Sequence, residues 1–387
     1  MSPPWRILVV DDEPDLEPLV LQRMRRQIRS GKYEFVFAGN GLEALEKLRT
    51  DDSIDLLLSD INMPQMDGLT LLSQVSSIHQ DLRAVIISAY GDMGNIRTAM
   101  NRGAFDFVTK PVDFDDLQIT IERTVEHLQQ WREATASRDK LVTLQNELNI
   151  ASNVQQSILP GDFPFSDKYQ TCANMVPARN VGGDFFDFVS LPQDCVFATV
   201  ADVSDKGIPA ALFMMSSRTA LKGAAIGSGS PGAALAEANR VLQADNPTAM
   251  FVTVISAVYD PHNGQCTYAS GGHDPPVVVH TDGTASQLPA TGGIALGIVP
   301  ELSFAEETVK LEPGETLLLY TDGVSEAMNV EQEEFGIKRI LDLFNGRPPR
   351  DADEATAVIF EAVAEFAGEA PASDDITCLA LHRRTAS

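Results

Sequence analysis

Over roughly the first 110 residues, short β-branched apolar runs alternate with longer amphipathic stretches. Strands are predicted at residues 7–10, 35–37, 56–59, 85–88 and 105–108. Helical patterns lie between them, with Asn40-Gly41 and Asp67-Gly68 as start signals. Five such units argue for an α/β, doubly wound parallel sheet, in which ligands gather outside the carboxyl ends of the strands.

The pattern then changes. Residues 114–158 contain neither Gly nor Pro and read as one helix. Leu117, Ile121, Val125 and Leu128 form a stripe for packing on the first domain. The stripe fades beyond Trp131 and resumes as Leu141, Leu144, Leu148, Ala151 and Ile158, a heptad seam broken by polar Gln155. Pro160-Gly161 stops the helix. Such a seam serves either as a face packed on its own domain or as a coiled coil, and a homodimer through it is expected. Residues 165–384 mix short strands, small-residue helices and Gly/Asp punctuation, an α+β pattern. The expected domains are 1–125, a helical linker 126–160, and 161–387.

Chemistry enters at the strand ends. The first strand ends in Asp11-Asp12, the third in Asp60, the fourth in Ser88 and the fifth in Lys110, followed by Pro111. Three carboxylates converging at one sheet edge repel unless a cation lies between them, and hard oxygen ligands suit Mg²⁺. A single acidic residue at a strand end is often only a helix cap, but the whole set is hard to dismiss. Residues 5–125 resemble the receiver domain of bacterial response regulators. The matching pieces are Val10-Asp11-Asp12-Glu13, Asp60-Ile61-Asn62-Met63-Pro64, Asp67-Gly68, Ser88-Ala89-Tyr90 and Val108-Thr109-Lys110-Pro111. The resemblance implies that Asp60 accepts a phosphoryl group from a histidine kinase. It also implies that Asp11, Asp12, Asp60 and the Asn62 carbonyl hold Mg²⁺. Ser88 and Lys110 would contact the phosphoryl oxygens, and Phe107 takes the switch-aromatic position.

In the second domain four acidic clusters stand out: Gly182-Gly183-Asp184, Asp202-Val203-Ser204-Asp205-Lys206-Gly207, Thr321-Asp322-Gly323 and Ser373-Asp374-Asp375. An isolated Asp-Gly is a turn signal, yet Asp202 and Asp322 each end an apolar strand-like run. Spacing alone does not show that they meet. Residues 150–384 look like the PPM (type 2C) metal-dependent protein phosphatases, in the sporulation stage II and stress-response branch. Gly271-Gly272-His273-Asp274-Pro275-Pro276 and Asp374-Asp375-Ile376-Thr377 extend the match. The resemblance implies a β-sandwich flanked by helices that hydrolyses phosphoserine or phosphothreonine. Asp202 would bridge two Mn²⁺ or Mg²⁺ ions, with the Val203 carbonyl as a further ligand; Asp184 would hold one ion, and Asp322 and Asp374 the other, with Asp375 the fallback for Asp374. Two close cations lower the pKa of the water between them, so no nucleophilic side chain is needed. His273 reads as structural or as a general acid, and Lys206 and Arg179 as phosphate contacts. Asp205 stands where the branch often has Gly.

The composition narrows the rest. A formal net charge of −26 over 387 residues, with Lys and Arg thinly spread, disfavours nucleic acid. No apolar run is long enough for a membrane span, and no signal peptide is visible, so a cytoplasmic location is expected. Cys172, Cys195, Cys266 and Cys378 lack metal spacing and read as unpaired thiols. The resulting expectation is a two-component regulator whose substrate, by analogy with the branch, is a phosphorylated anti-sigma-factor antagonist. The alternative is a non-catalytic adaptor. A transcription factor fails for want of a basic recognition helix.

Overall fold

The computed structural model describes residues 3–385 apart from Gln80, Tyr90 and Asp245, so Tyr90 of the Ser88-Ala89-Tyr90 motif lies outside the described residues. The chain divides into two units, Met1–Thr143 and Leu144–Ser387.

In the first unit the strands β1 (Trp5–Val10), β2 (Tyr33–Ala38), β3 (Leu56–Asp60), β4 (Arg83–Ala89) and β5 (Asp106–Lys110) are all parallel, in the order β2-β1-β3-β4-β5. The helices are α1 (Leu16–Arg23), α2 (Arg25–Arg29), α3 (Gly41–Thr50), α4 (Gly68–Ile78) and α5 (Met93–Asn101), with α6 (Phe114–Ile158) starting here and ending in the second unit. Both start signals are caps: the Asn40 side chain accepts from the Glu43 N–H, and Asp67 accepts from the Thr70 N–H. β5 runs beyond its apolar stretch, because Thr109 and Lys110 continue the ladder opposite Ser88 and Ala89. Main-chain pairing sets that end, and polarity hides it from a hydrophobic pattern.

α6 follows the Gly- and Pro-free segment from end to end. Its first turns bury Leu117, Ile121, Val125 and Leu128, three of them among Val85, Ile87 and Val108 of the sheet. Each such burial is worth about 1.5–3 kcal/mol. Arg132 then pairs with Asp55 at 2.8 Å. Further on, Leu141 and Leu144 are 67% and 46% exposed, so the first part of the seam is uncovered in the single chain, whereas Ile158 at its end packs onto a hydrophobic core of the second unit.

In the second unit the strands are β6 (Tyr169–Val176), β7 (Phe185–Ser190), β8 (Val196–Val203), β9 (Val252–Asp260), β10 (Gln265–Gly271), β11 (Val277–Val279), β12 (Ala285–Gln287), β13 (Glu307–Lys310), β14 (Thr316–Tyr320) and β15 (Ile376–Arg383). The helices are α7 (Ile208–Ser228), α8 (Pro231–Ala244), α9 (Asp322–Ser325), α10 (Gly336–Asp342) and α11 (Ala352–Ala367). Two antiparallel sheets form, ordered β13-β10-β9-β8-β7 and β12-β11-β14-β15-β6.

The period of two along each strand explains the layering. Phe186, Phe188 and Val200 meet Leu317, Leu319, Leu379 and Leu381 between the sheets. The alternate residues Phe185, Phe197 and Ala201 turn outward onto Met214 and Leu221 of α7 and Leu235 of α8. Leu318, Tyr320 and Ala380 turn the other way onto Ile340 of α10 and Ile359 and Val363 of α11. A sandwich flanked by helices results. All four cysteines are free thiols. Among the described residues no helix is long and apolar enough to cross a membrane.

Candidate functional site

In the first unit the adjacent carboxyl ends of β1 and β3 bring Asp11, Asp12 and Asp60 together, one ligand oxygen of each lying within 4.8 Å of the others. Lys110, at the end of β5, reaches Asp60 Oδ2 at 2.7 Å, Glu13 Oε1 at 2.9 Å and Asp11 Oδ2 at 3.0 Å. Burial alone would lower the Lys110 pKa, but its hydrogen bonds to Asp60, Glu13 and Asp11 more than offset this and hold it charged. Burial raises the pKa of Asp11, against the pull of the Glu13 N–H and Lys110. The Asn62 N–H donates to Asp60 Oδ1 at 3.4 Å. Asp60 lies opposite Ile87 in the ladder, so Ser88 follows one residue beyond. The Ser88 hydroxyl is buried and has no hydrogen-bond partner among the described residues. A buried hydroxyl left unpaired costs about 1–3 kcal/mol, which an added acceptor would recover. Phe107 is exposed on β5. The donors fit a hard divalent cation such as Mg²⁺.

In the second unit the acidic residues gather at one end of the sandwich. Asp202 lies near the end of β8, Asp184 just ahead of β7, Asp322 at the start of α9 after β14, and Asp374 and Asp375 ahead of β15. Asp184 is 1% exposed, and its Oδ2 accepts from Thr321 Oγ1 at 2.7 Å and Thr377 Oγ1 at 2.6 Å. A carboxylate from one sheet is therefore held by two hydroxyls from the other.

Burial, then the Asp202 charge, raises the Asp184 pKa well above the usual range. Burial and then Asp322 push Asp202 to about 7, while burial and then Asp374 push Asp322 to about 6. Crowded carboxylates of this kind are relieved by cations. The set is wider than that of the first unit: among the described residues, Asp11, Asp12 and Asp60 are the one group of three within 4.8 Å. A pair of ions about 3.5–4 Å apart needs the greater width. With oxygen donors alone, the residues fit Mn²⁺ or Mg²⁺.

The neighbouring aspartates Asp374 and Asp375 differ in what they do. Asp375 is buried and accepts from the backbone N–H groups of Ala178 (2.8 Å), Gly183 (2.7 Å) and Asp184 (3.3 Å). It holds the Gly182-Gly183-Asp184 loop. A β-carbon at Gly182 would lie 2.3 Å from its Oδ2, and one at Gly323 only 1.9 Å from its carbonyl oxygen. Both glycines are required by close approach. Asp374 keeps a side chain 34% exposed and pairs with Lys206 Nζ at 2.9 Å. Its other oxygen accepts from the Asp375 N–H at 2.9 Å, so Asp374 is the more exposed of the two rather than the one that braces the loop.

Lys206 also donates to the Ser373 carbonyl, beside the acidic group, whereas Arg179 is exposed and makes no ion pair among the described residues. His273 bonds Thr253 Oγ1 and the Tyr320 carbonyl, both at 2.9 Å. Burial pushes its pKa down to about 4. With Nε2 donating to a carbonyl and Nδ1 accepting from a hydroxyl, the ring is neutral and fixed, which favours the structural reading over a general acid. Asp205 has φ +68°, a left-handed conformation that explains a glycine preference and that Asp tolerates better than most residues.

Sequence reasoning took Gln155 for a flaw in the seam. It is buried, and its amide donates to the Gly182 carbonyl at 2.7 Å and accepts from the Gly182 N–H at 3.0 Å. Thr321 and Thr377 were also missed as Asp184 partners, although both lie inside motifs already singled out. A polar residue at a heptad position is the signal that pointed to Gln155.

Residues 192–384 match the family described as Stage II sporulation protein E (SpoIIE), and residues 7–122 match the response regulator receiver domain. Asp202, Asp322 and Asp374 fall within the SpoIIE match, and Asp184 lies ahead of it. Phosphoserine phosphatase RsbU of Bacillus subtilis (strain 168) is 32% identical over 214 residues, 55% of this chain and 63% of that protein. Protein IcfG of Synechocystis sp. is 30% identical over 264 residues, 61% of this chain and 41% of that protein. The chain thus spans less than two thirds of the length of these curated relatives. The solved RsbU and RsbW domains of a Mycobacterium tuberculosis protein align at 28% identity and TM-score 0.50, over 56% of this chain and 60% of that one. The SiaA-PP2C domain of Pseudomonas aeruginosa, at 24% identity and TM-score 0.55, covers 64% of this chain and 99% of that one and shows the same fold.

Proposed function

Because the chain joins a response-regulator receiver domain to a SpoIIE-family PPM phosphatase domain, we propose that it is a two-component regulator whose output is metal-dependent hydrolysis of phosphoserine or phosphothreonine on a protein. The observation that carries this is the gathering of Asp184, Asp202, Asp322 and Asp374 at one end of the sandwich, with the pKa values of the first three driven up by burial and by one another's charge.

Asp184, Asp202, Asp322, Asp374 and the Val203 carbonyl would hold two Mn²⁺ or Mg²⁺ ions. When bound, such ions would lower the pKa of a water held between them and neutralise charge on the phosphoryl oxygens. The chain's own contribution is positional. Thr321 and Thr377 fix Asp184, Asp375 fixes the loop that carries it, and Lys206 stands beside Asp374 as a phosphate contact. Net reaction joins water oxygen to phosphorus, breaks the phosphorus–Oγ bond and returns a proton to the serine or threonine oxygen.

Asp60 is the phosphoacceptor, with Mg²⁺ on Asp11, Asp12, Asp60 and the Asn62 carbonyl, and a histidine kinase as donor. The added phosphoryl group gives Ser88 a partner and draws Lys110, while Phe107 responds at the surface. α6 begins in the receiver core at Leu117 and Ile121 and carries Gln155 near its other end. A shift of this helix therefore reaches the backbone of Gly182. The exposed seam at Leu141 and Leu144 supports a homodimer, and the likeness to RsbU supports a phosphorylated anti-sigma-factor antagonist as substrate.

The test is hydrolysis of p-nitrophenyl phosphate by the full chain with Mn²⁺, with and without acetyl phosphate. Turnover lost in Asp202→Ala is expected. Metal-loaded protein that turns over neither this ester nor any phosphoprotein would leave only the adaptor reading.

A further inference from the structure

Beside the acidic group lies a cavity of about 320 Å³ that the chemistry above does not use. Its walls are Val176 at the end of β6, Met328 after α9, Phe360, Val363 and Ala367 on α11, and Ile376 at the start of β15. Gly323 and Asp374 line it as well. Gly323 follows Asp322, and Asp374 is the more exposed member of its pair, so the cavity shares a wall with the acidic group.

We infer that this cavity seats an apolar side chain of the phosphoprotein substrate, from a residue within about two positions of the phosphorylated one. The inference rests on the phosphatase reading above and names what that site recognises beyond phosphate. Three observations select this occupant. The first is the shared wall: extended chain advances about 3.3–3.6 Å per residue, so a side chain entering here belongs to an immediate neighbour of the phosphoserine. The second is chemistry. Asp374 is the one charged residue in the lining, and Lys206 already engages it. A charged side chain placed there would lose its hydration without gaining a partner. The third is size. The volume sits at the lower limit of pockets that enclose whole small molecules, enough for a leucine- or phenylalanine-sized side chain together with the peptide backbone that carries it.

Two phosphoserine peptides, identical except for Leu or Ser at the two positions on either side of the phosphoserine, provide the test alongside p-nitrophenyl phosphate, which has no side chain to seat. The full chain with Mn²⁺ is expected to cleave the Leu peptide with a kcat/KM about ten-fold above that of the Ser peptide, mainly through KM. Ala367→Phe, and independently Ala364→Leu, fill the cavity from α11 without touching the acidic group. Each should remove the ten-fold preference and leave p-nitrophenyl phosphate turnover unchanged. Equal treatment of the two peptides, whether both are cleaved or both refused, overturns the inference while the ester is still hydrolysed. So does a filled variant that keeps the preference. A filled variant with raised ester turnover would mark the cavity as the seat of a segment of this chain, which also overturns it. Absence of ester turnover in the unaltered protein is a different failure, that of the phosphatase reading itself.

Discussion

Replacing Gln155 by methionine keeps the length of the side chain and its helix propensity while deleting both hydrogen bonds to Gly182. No other group pairs with the Gly182 N–H or carbonyl among the described residues, and the position is buried. Each orphaned group costs about 1–3 kcal/mol, so the end of α6 should lose roughly 2–6 kcal/mol of its hold on this loop. At about 1.4 kcal/mol per factor of ten, that is about 30-fold or more in the balance between docked and released helix end. Gly182 is two residues from Asp184, so the loss should reach the metal ligands. Amide exchange at Gly182 and Gly183 is expected to accelerate by that factor, and the Mn²⁺ concentration for half-maximal p-nitrophenyl phosphate hydrolysis should rise. A smaller change in the urea midpoint of the whole domain should accompany it, because the core between the sheets is untouched. Unchanged exchange at Gly182 together with an unchanged Mn²⁺ requirement would refute the idea that this helix end governs the loop.

Further outcomes follow from the same geometry. Asp375→Ala strips three backbone N–H groups of their acceptor and should lower unfolding stability by about 3 kcal/mol or more in urea titration. Asp374→Asn should leave that stability within about 0.5 kcal/mol while weakening Mn²⁺ binding measured by calorimetry. In metal-free protein Asp202 and Asp322 have pKa values raised to about 7 and about 6, so the folded state holds more protons than the unfolded one between about pH 4 and pH 7. These groups should therefore make the metal-free domain less stable as pH rises through that window, and saturating Mn²⁺ should flatten or reverse the slope in thermal melts. Asp60→Ala should abolish any effect of acetyl phosphate on ester hydrolysis; a retained effect would remove Asp60 from the control step.

Much of the fold can be read from local pattern because each βα unit of the first domain carries its own signal. Asn40 and Asp67 announce their helices by capping them, and the 45-residue α6 is bounded by the residues that break helices. The sandwich is harder, since β6 pairs with β15 some two hundred residues away and no periodicity records such a pairing. The site shows the same division. That Asp202 and Asp322 carry chemistry could be argued from their strand-end positions, and that Asp184 and Asp374 join them from the family likeness. That Asp375 braces a loop, that Thr321 and Thr377 clasp Asp184, and that Gln155 is a fastening could not. Those roles are set by partners on other elements, and a side chain's partner is not written in its own neighbourhood.

Asp184 and Asp202 belong to one sheet, Asp322 and Asp374 to the other, and the hydroxyls of Thr321 and Thr377 already stitch across the gap. Ions captured among these groups would act as rivets between the two leaves of the sandwich, so cation supply would set how firmly that rim stays shut as well as how fast it works. Starved of metal, the domain should come apart first along this edge, and a protease offered both forms should nick the ion-depleted one there long before the rest of the layers give way.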